Sequence, residues 1–171
     1  MKSIKRIIDK FSIAFSDPKD YRSQDSSTFK SRDGKAMPVD EAFVAWTTGT
    51  LDQMIEATNS KTHPIDRHFL LQRIVRESYK LRKDRKHQEI CLKFANKHLD
   101  EFDELASALK KDMDGVLPRI TVFQHHATVL TENGDFNQAI EICNKAIEYQ
   151  LHDGTQSGFE GRIERILKKM D

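Results

Sequence analysis

Apolar residues recur at three- and four-residue intervals along most of this chain, the period of one face of an α-helix. Ile4, Ile7, Ile8, Phe11 and Phe15 mark an amphipathic helix over 2–16, with Lys2, Lys5, Arg6 and Lys10 on its other surface. Residues 17–36 break the pattern. They hold Pro18, a run rich in Ser, Asp and Gln, and Asp33-Gly34, so they read as a polar linker. Few apolar side chains are available there to offset the entropy of ordering.

A short helix is predicted over 39–47, after Pro38, with Gly49 ending it. Thr50 and Gln53 then have capping-box spacing, and Leu51, Met54 and Ile55 supply the apolar face of the helix they start. Pro64 suits a first helical turn. Ile65, Phe69, Leu70, Ile74, Val75 and Leu81 hold one face from there to about residue 82. After Lys83-Asp84-Arg85, the residues Cys91, Ala95, His98, Phe102, Leu105 and Leu109 are spaced 4, 3, 4, 3 and 4. That seam fits one long helix from about 86, or two with a bend near Asp100, where carboxylates crowd. Asp114-Gly115 and Pro118 close it. Two more helices, 119–132 and 136–150, meet at a tight Asn133-Gly134-Asp135 turn. A last one spans 159–170, with Phe159, Ile163, Ile166, Leu167 and Met170 on one side.

The hairpin at 119–150 resembles the tetratricopeptide repeat, a helix-turn-helix unit of about 34 residues. Phe123 takes the place of the large aromatic of the first helix, Ala127 that of the small residue, and Leu130 that of the next large one. On the second helix, Ala139, Cys143 and Ala146 follow the small, bulky, small pattern, and Gly134-Asp135-Phe136 matches the turn. The sequence departs from the pattern at His126, in a leucine position, and at Leu151, in the closing proline position. A weaker copy lies upstream, with Tyr79, Leu92 and Ala95 in the roles of Leu130, Cys143 and Ala146. Gln72, Arg76 and Gln88 stand there for the expected aromatic and small residues. The offset between copies is about 51 residues, and the surplus falls near 103–119 as an extra helix.

The resemblance implies an all-α fold of antiparallel hairpins stacked into a short right-handed superhelix. On this reading residues 1–36 are an amphipathic helix plus linker, and 37–171 are the helical domain. Its best repeat is 120–153, its weaker one 69–102, and 159–170 is the capping helix such stacks need. It also implies a concave surface built by the first helix of each unit, on which Arg73, Glu77, Lys80, Gln124, Thr128 and Thr131 would face a partner.

Composition fits an all-α chain: 37% apolar and 32% charged residues, with 7 Gly and 4 Pro. The net charge of +1 sets no global field toward nucleic acid or membrane. Cys91 and Cys143 lie on apolar helical faces and are expected as buried free thiols. The first residues are amphipathic, unlike a secretory leader, and no segment approaches the roughly 20 apolar residues of a membrane span. A soluble, reduced, cytoplasmic setting is the expectation. Asp9 interrupts the positive face of the short first helix. Docking on the protein's own core or on a second copy, as a homo-oligomer, therefore suits it better than a membrane surface.

Charge is polarised locally. From Lys61 to Lys86 there are nine Lys or Arg against three Asp or Glu, and residues 88–171 are acidic on balance. The basic run Arg76, Lys80, Arg82, Lys83, Arg85 and Lys86 reads first as a solvated helix end, where cations complement the helix dipole. As a functional feature it would clamp an acidic peptide or a nucleic-acid backbone. Only Tyr79 is near to stack on a base, which favours a carboxylate or phosphate partner over the reading of a base sequence. Arg162 and Arg165, one turn apart after a glycine-rich loop, suggest an anion site. A helix C-cap and tight corner in which Asp153 pairs an arginine fits them better.

His125 and His126 are adjacent and point about 100° apart on a helix. His63 and His68 do not share a face, and no Cys/His cluster has zinc spacing. No metal or cofactor is therefore expected, and His98 and His126 are expected half-buried with polar partners. No serine elbow, phosphate-cradling glycine loop or His-Glu-x-x-His pattern appears. The sequence points to a non-catalytic scaffold binding a protein or peptide, with a nucleic-acid accessory role as the alternative.

Overall fold

The computed structural model of the chain describes residues 29–170. The helix expected over 2–16, the first part of the linker and any oligomer contact through them lie outside the described residues. The described chain is all-α with one addition. A two-stranded ribbon, β1 (Phe29–Arg32) and β2 (Lys35–Pro38), precedes eight helices. These are α1 (Glu41–Thr48), α2 (Leu51–Ala57), α3 (Pro64–Lys80), α4 (Arg85–Asp100), α5 (Phe102–Asp112), α6 (Val122–Asn133), α7 (Phe136–Glu148) and α8 (Gly158–Leu167).

The ribbon corrects the linker expected at 17–36. Arg32 pairs with Lys35 across the register, so Asp33-Gly34 is a two-residue hairpin loop. Both residues have positive φ, 51° and 72°, the geometry that favours Asp-Gly in such loops. What holds the ribbon is charge. Asp66, on α3 and fully buried, accepts from Lys30 at 2.7 Å, from Arg32 at 2.5 Å and from Trp46 Nε1 at 3.0 Å. Burial pushes the Asp66 carboxyl up, and the hydrogen bonds from Arg32, Lys30 and Trp46 more than offset it. The group is therefore held below the usual carboxylate range. The loop end is tied down as well: Lys111 donates to Asp33 at 2.9 Å, and the Asp33 N–H to Asp112 at 2.9 Å.

Helix starts follow local chemistry. Asp40 accepts from the Phe43 N–H at the start of α1, and the Thr50/Gln53 capping box opens α2 with both of its bonds made. Pro64 sits in the first turn of α3. The seam from Cys91 to Leu109 is two helices, with Glu101 between α4 and α5. Glu101 accepts a two-point contact from Arg67 of α3 at 2.8 and 2.9 Å, which pins that junction.

The core runs through every helix. Phe123, Ala127, Ala139, Cys143 and Ala146 are completely buried where α6 meets α7. Phe102 meets Phe123 edge-to-face at 5.0 Å and Tyr149 at 4.7 Å, joining α5, α6 and the end of α7. Both cysteines are free and buried, and desolvation lifts each thiol to about 11.

The core also holds histidines, more deeply than expected. His98 is fully buried rather than half-buried, and its partner is another buried histidine: His68 Nδ1 lies 2.9 Å from His98 Nε2. His68 Nε2 and His98 Nδ1 have no protein partner. A neutral pair makes one N–H···N bond, so one N–H and one lone pair stay unmatched in either tautomer. His126 is also buried, and its Nδ1 lacks a partner. Among the described residues no helix is long and apolar enough to cross a membrane.

Candidate binding groove

The first turns of α6 carry a polar row, the floor of the candidate groove. Thr121, Gln124, His125 and Thr128 recur at three- and four-residue steps, so they lie along one side of the helix. α3 packs on one flank of α6. There Gln72 accepts from the Thr121 N–H at 2.8 Å, and Tyr79 stacks on His125 at 4.1 Å with 20° between the rings. The Arg82 guanidinium also lies 4.1 Å from the Tyr79 ring centre, and it grips Glu132 of α6 with two bonds of 2.9 Å.

On the other flank, Arg162 of α8 donates to Thr128 at 2.9 Å and to Asp153 at 3.2 Å. The Asp153 side chain is fully buried, and its second oxygen accepts from the Thr155 N–H and hydroxyl at 2.9 and 2.6 Å. Burial raises the Asp153 carboxyl, but Thr155 and Arg162 outweigh it and hold the group ionised. Arg119 closes the end of the groove, donating to the Asp153 carbonyl at 3.1 Å and Gln124 Oε1 at 3.5 Å. Gly154 permits this. Its φ is +84°, and a Cβ there would sit 2.6 Å from the guanidinium. Arg119 also borders a hollow of about 650 Å³ between residues 115–119 and 148–154.

The six residues predicted to face a partner do not form one row. Arg73, Glu77 and Lys80 turn toward α1 and α2. Arg73 donates to the Trp46 carbonyl, and the three line a hollow of about 370 Å³ with the start of α2. Gln124 and Thr128 lie on the α6 floor. The hydroxyls of Thr128 and Thr131 donate to their own helix, at the Gln124 and Ala127 carbonyls, 2.7 Å each. What joins the two groups is Gln72, Arg76 and Tyr79. In the sequence Gln72 and Arg76 depart from the repeat pattern, Arg76 belongs to the basic run, and Tyr79 matches a core position.

The basic run divides. Arg82 turns to Glu132, and Arg76 bridges to Glu77 at 3.2 Å, so both belong to the inner face. Lys83, Arg85 and Lys86 stay at the exposed α3–α4 corner, with Arg85 pairing Glu89 at 2.9 Å. Arg162 and Arg165 do not converge on an open anion site: the first serves Asp153 and Thr128, the second Ser157 at 3.0 Å.

His125 carries the electrostatic signature of the groove. Desolvation, then Arg82, Arg162, Arg76 and Arg119, lower its pKa to about 4. Its Nδ1, the Thr121 hydroxyl and Arg162 Nε are buried without a protein partner. Among the described residues no group of three His, Cys, Asp or Glu is placed to hold a metal ion. No family model matches the chain, and no curated protein or solved structure matches it.

Proposed function

We propose that this chain is a non-catalytic, tetratricopeptide-like module that holds an extended segment of a protein partner along the inner face of α3 and α6. The observation that carries the reading is the lining of that face. Arg73, Arg76, Glu77, Lys80, Gln124 and His125 present charged and amide groups in a surface bounded by α2 on one side and α8 on the other. Such a lining suits a peptide backbone and its polar side chains. The order of packing supports the stacked-hairpin reading. α3 packs on α4, both pack on α6, α6 on α7 and α7 on α8, so each hairpin covers the next. The free thiols suit a reducing compartment, and the proposal places the protein in the cytoplasm.

The nucleic-acid alternative draws on Lys83, Arg85 and Lys86 alone. Tyr79, the aromatic it needed for stacking, is already engaged by His125 and Arg82.

The test is affinity capture with partner sequencing, repeated with Arg73→Glu and Lys80→Glu. Lys80 is exposed, but Arg73 also donates to the Trp46 carbonyl, so the fold of each variant is checked first by circular dichroism and thermal melting. Capture should fall at least tenfold in the double variant, the equivalent of about 1.4 kcal/mol. Undiminished capture by a folded variant rejects the groove.

A further inference from the structure

The inner face holds more positive charge than its own carboxylates match. Arg82 is taken by Glu132, Arg162 by Asp153, and Arg76 shares Glu77 with Lys80. Arg119 reaches only an amide oxygen and a backbone carbonyl. Asp153 has no oxygen to spare for it, because Thr155 and Arg162 occupy both. Apart from Arg73, which lies at the α2 end with its guanidinium on the Trp46 carbonyl, five cations face three carboxylates and leave two positive charges, carried by Arg119 and by the Arg76/Lys80 pair.

Unused donors gather in the same place. Arg162 Nε and the Thr121 hydroxyl have no acceptor in the protein; Thr121 stands at the start of α6, where its N–H donates to Gln72, and Arg162 donates to Thr128 of the same helix. A surplus of two charges, guanidinium geometry and unmatched donors call for one compact ligand with two negative charges and several acceptor oxygens.

We propose that Arg76, Arg119 and Arg162, with Thr121 and His125, seat a phosphate monoester carried by the partner segment. A phosphorylated serine, threonine or tyrosine brings nearly two negative charges and three acceptor oxygens at neutral pH. A side-chain carboxylate brings one charge and two oxygens, leaving half of the surplus unmatched. A nucleic-acid strand fits worse. Its evenly spaced phosphates would run onto Glu77 and Glu132, the partly exposed carboxylates that pair with Arg76 and Arg82. The hollow beside Arg119 leaves room for the residues flanking the phosphate. Burial first, and then the cations around it, keep His125 neutral, and a dianion would relieve the second of these.

This inference rests on the groove reading, and the experiment separates the two. The full-length chain is passed over three immobilised peptide pools, degenerate except for a central phosphoserine, glutamate or serine. In parallel its arginine Nε–H resonances are followed during titration with inorganic phosphate and with acetate at fixed ionic strength. The expected result is at least tenfold greater retention by the phosphoserine pool than by the other two. Arg119→Gln and Arg76→Gln should each reduce that retention at least tenfold, and Arg85→Gln should not change it. Phosphate, not acetate, should shift the Arg162 Nε–H saturably. Equal retention on the glutamate pool overturns the phosphate seat and leaves the peptide groove standing. Retention on no pool overturns both, even if free phosphate saturates the arginines. Displacement of the phosphoserine pool by a single-stranded oligonucleotide at equal phosphate concentration also overturns it. Arg119→Gln and Arg76→Gln act at side chains with no buried carboxylate partner, so loss of fold does not stand in for loss of the site.

Discussion

Asp66→Ala is expected to destabilise the protein by roughly 3–5 kcal/mol, the usual range for removing one partner of a buried ion pair. The reason is the company Asp66 keeps. Lys30, its side chain only 2% exposed, and Arg32 both spend their charge on this one carboxylate. Trp46 gives its indole N–H to it as well. Without Asp66, Lys30 keeps Asp40 at 2.7 Å, but Arg32 loses both of its bonds to α3. The thermal midpoint should fall by about 10 °C. Protease should also cut first within the β1–β2 ribbon, because the charges are its chief anchor to α3. A double variant, Asp66→Leu with Arg32→Leu, should recover part of the loss, since Lys30 keeps Asp40 and no charge is then stranded, although the Trp46 indole N–H still lacks its acceptor. If Asp66→Ala melts within two degrees of the parent chain, the buried network does not hold the ribbon.

The second large effect is with pH. Desolvation lowers His68 to about 4 and His98 well below its ordinary value, and His126 likewise to about 4. Each imidazole is uncharged when folded and takes a proton more readily when unfolded. The stability this represents is complete above the unfolded value of about 6.5. It is lost progressively as pH falls from there toward 4. At pH 5 each such histidine should have cost about 2 kcal/mol. For His68 and His98 the two losses are not additive, because a proton on one opposes a proton on the other. Asp66 adds its own loss only below about pH 4, so the two causes occupy different windows. Urea midpoints measured at intervals from pH 7.5 to 4.5 should drop steadily below 6.5. The variant with leucine at both 68 and 98 should lose much of that slope. A flat profile for the parent chain would show that the pair is hydrated and not closed off.

The helices were legible because each carries its own signals. The capping box at Thr50, Pro64 in a first turn and the three- and four-residue spacing on α6 and α7 act within a few residues. The expected hairpin at 119–132 and 136–150 is found at Val122–Asn133 and Phe136–Glu148. The ribbon at 29–38 was missed because, apart from the Lys30–Asp40 pair, what stabilises it lies far away in sequence. Its anchor, Asp66, lies 34 residues beyond Arg32. The one local clue was Asp33-Gly34, a dipeptide that suits a two-residue hairpin as well as a loop. The His68–His98 pair was hidden for a similar reason: periodicity places each residue on an apolar face, but not two such faces against each other.

The candidate groove was legible by half. Arg73, Glu77, Lys80, Gln124 and Thr128 were named from the repeat pattern, whereas Arg119 and Asp153 come from connecting loops, where that pattern has nothing to say. Arg76 was read as part of a charge run, and Tyr79 as a core position. Tyr79 turns to α6, where it stacks on His125, and Arg76 stays exposed beside Glu77.

The sealed cysteines have a practical consequence. Cys91 belongs to the second helix of the α3–α4 pair, and Cys143 to that of the α6–α7 pair. With the thiols raised to about 11 and shielded from solvent, alkylation at neutral pH has to wait for an opening. Each hairpin therefore carries its own clock. Mass spectrometry of the chain during slow labelling should read which one comes apart first, and whether they ever do so separately.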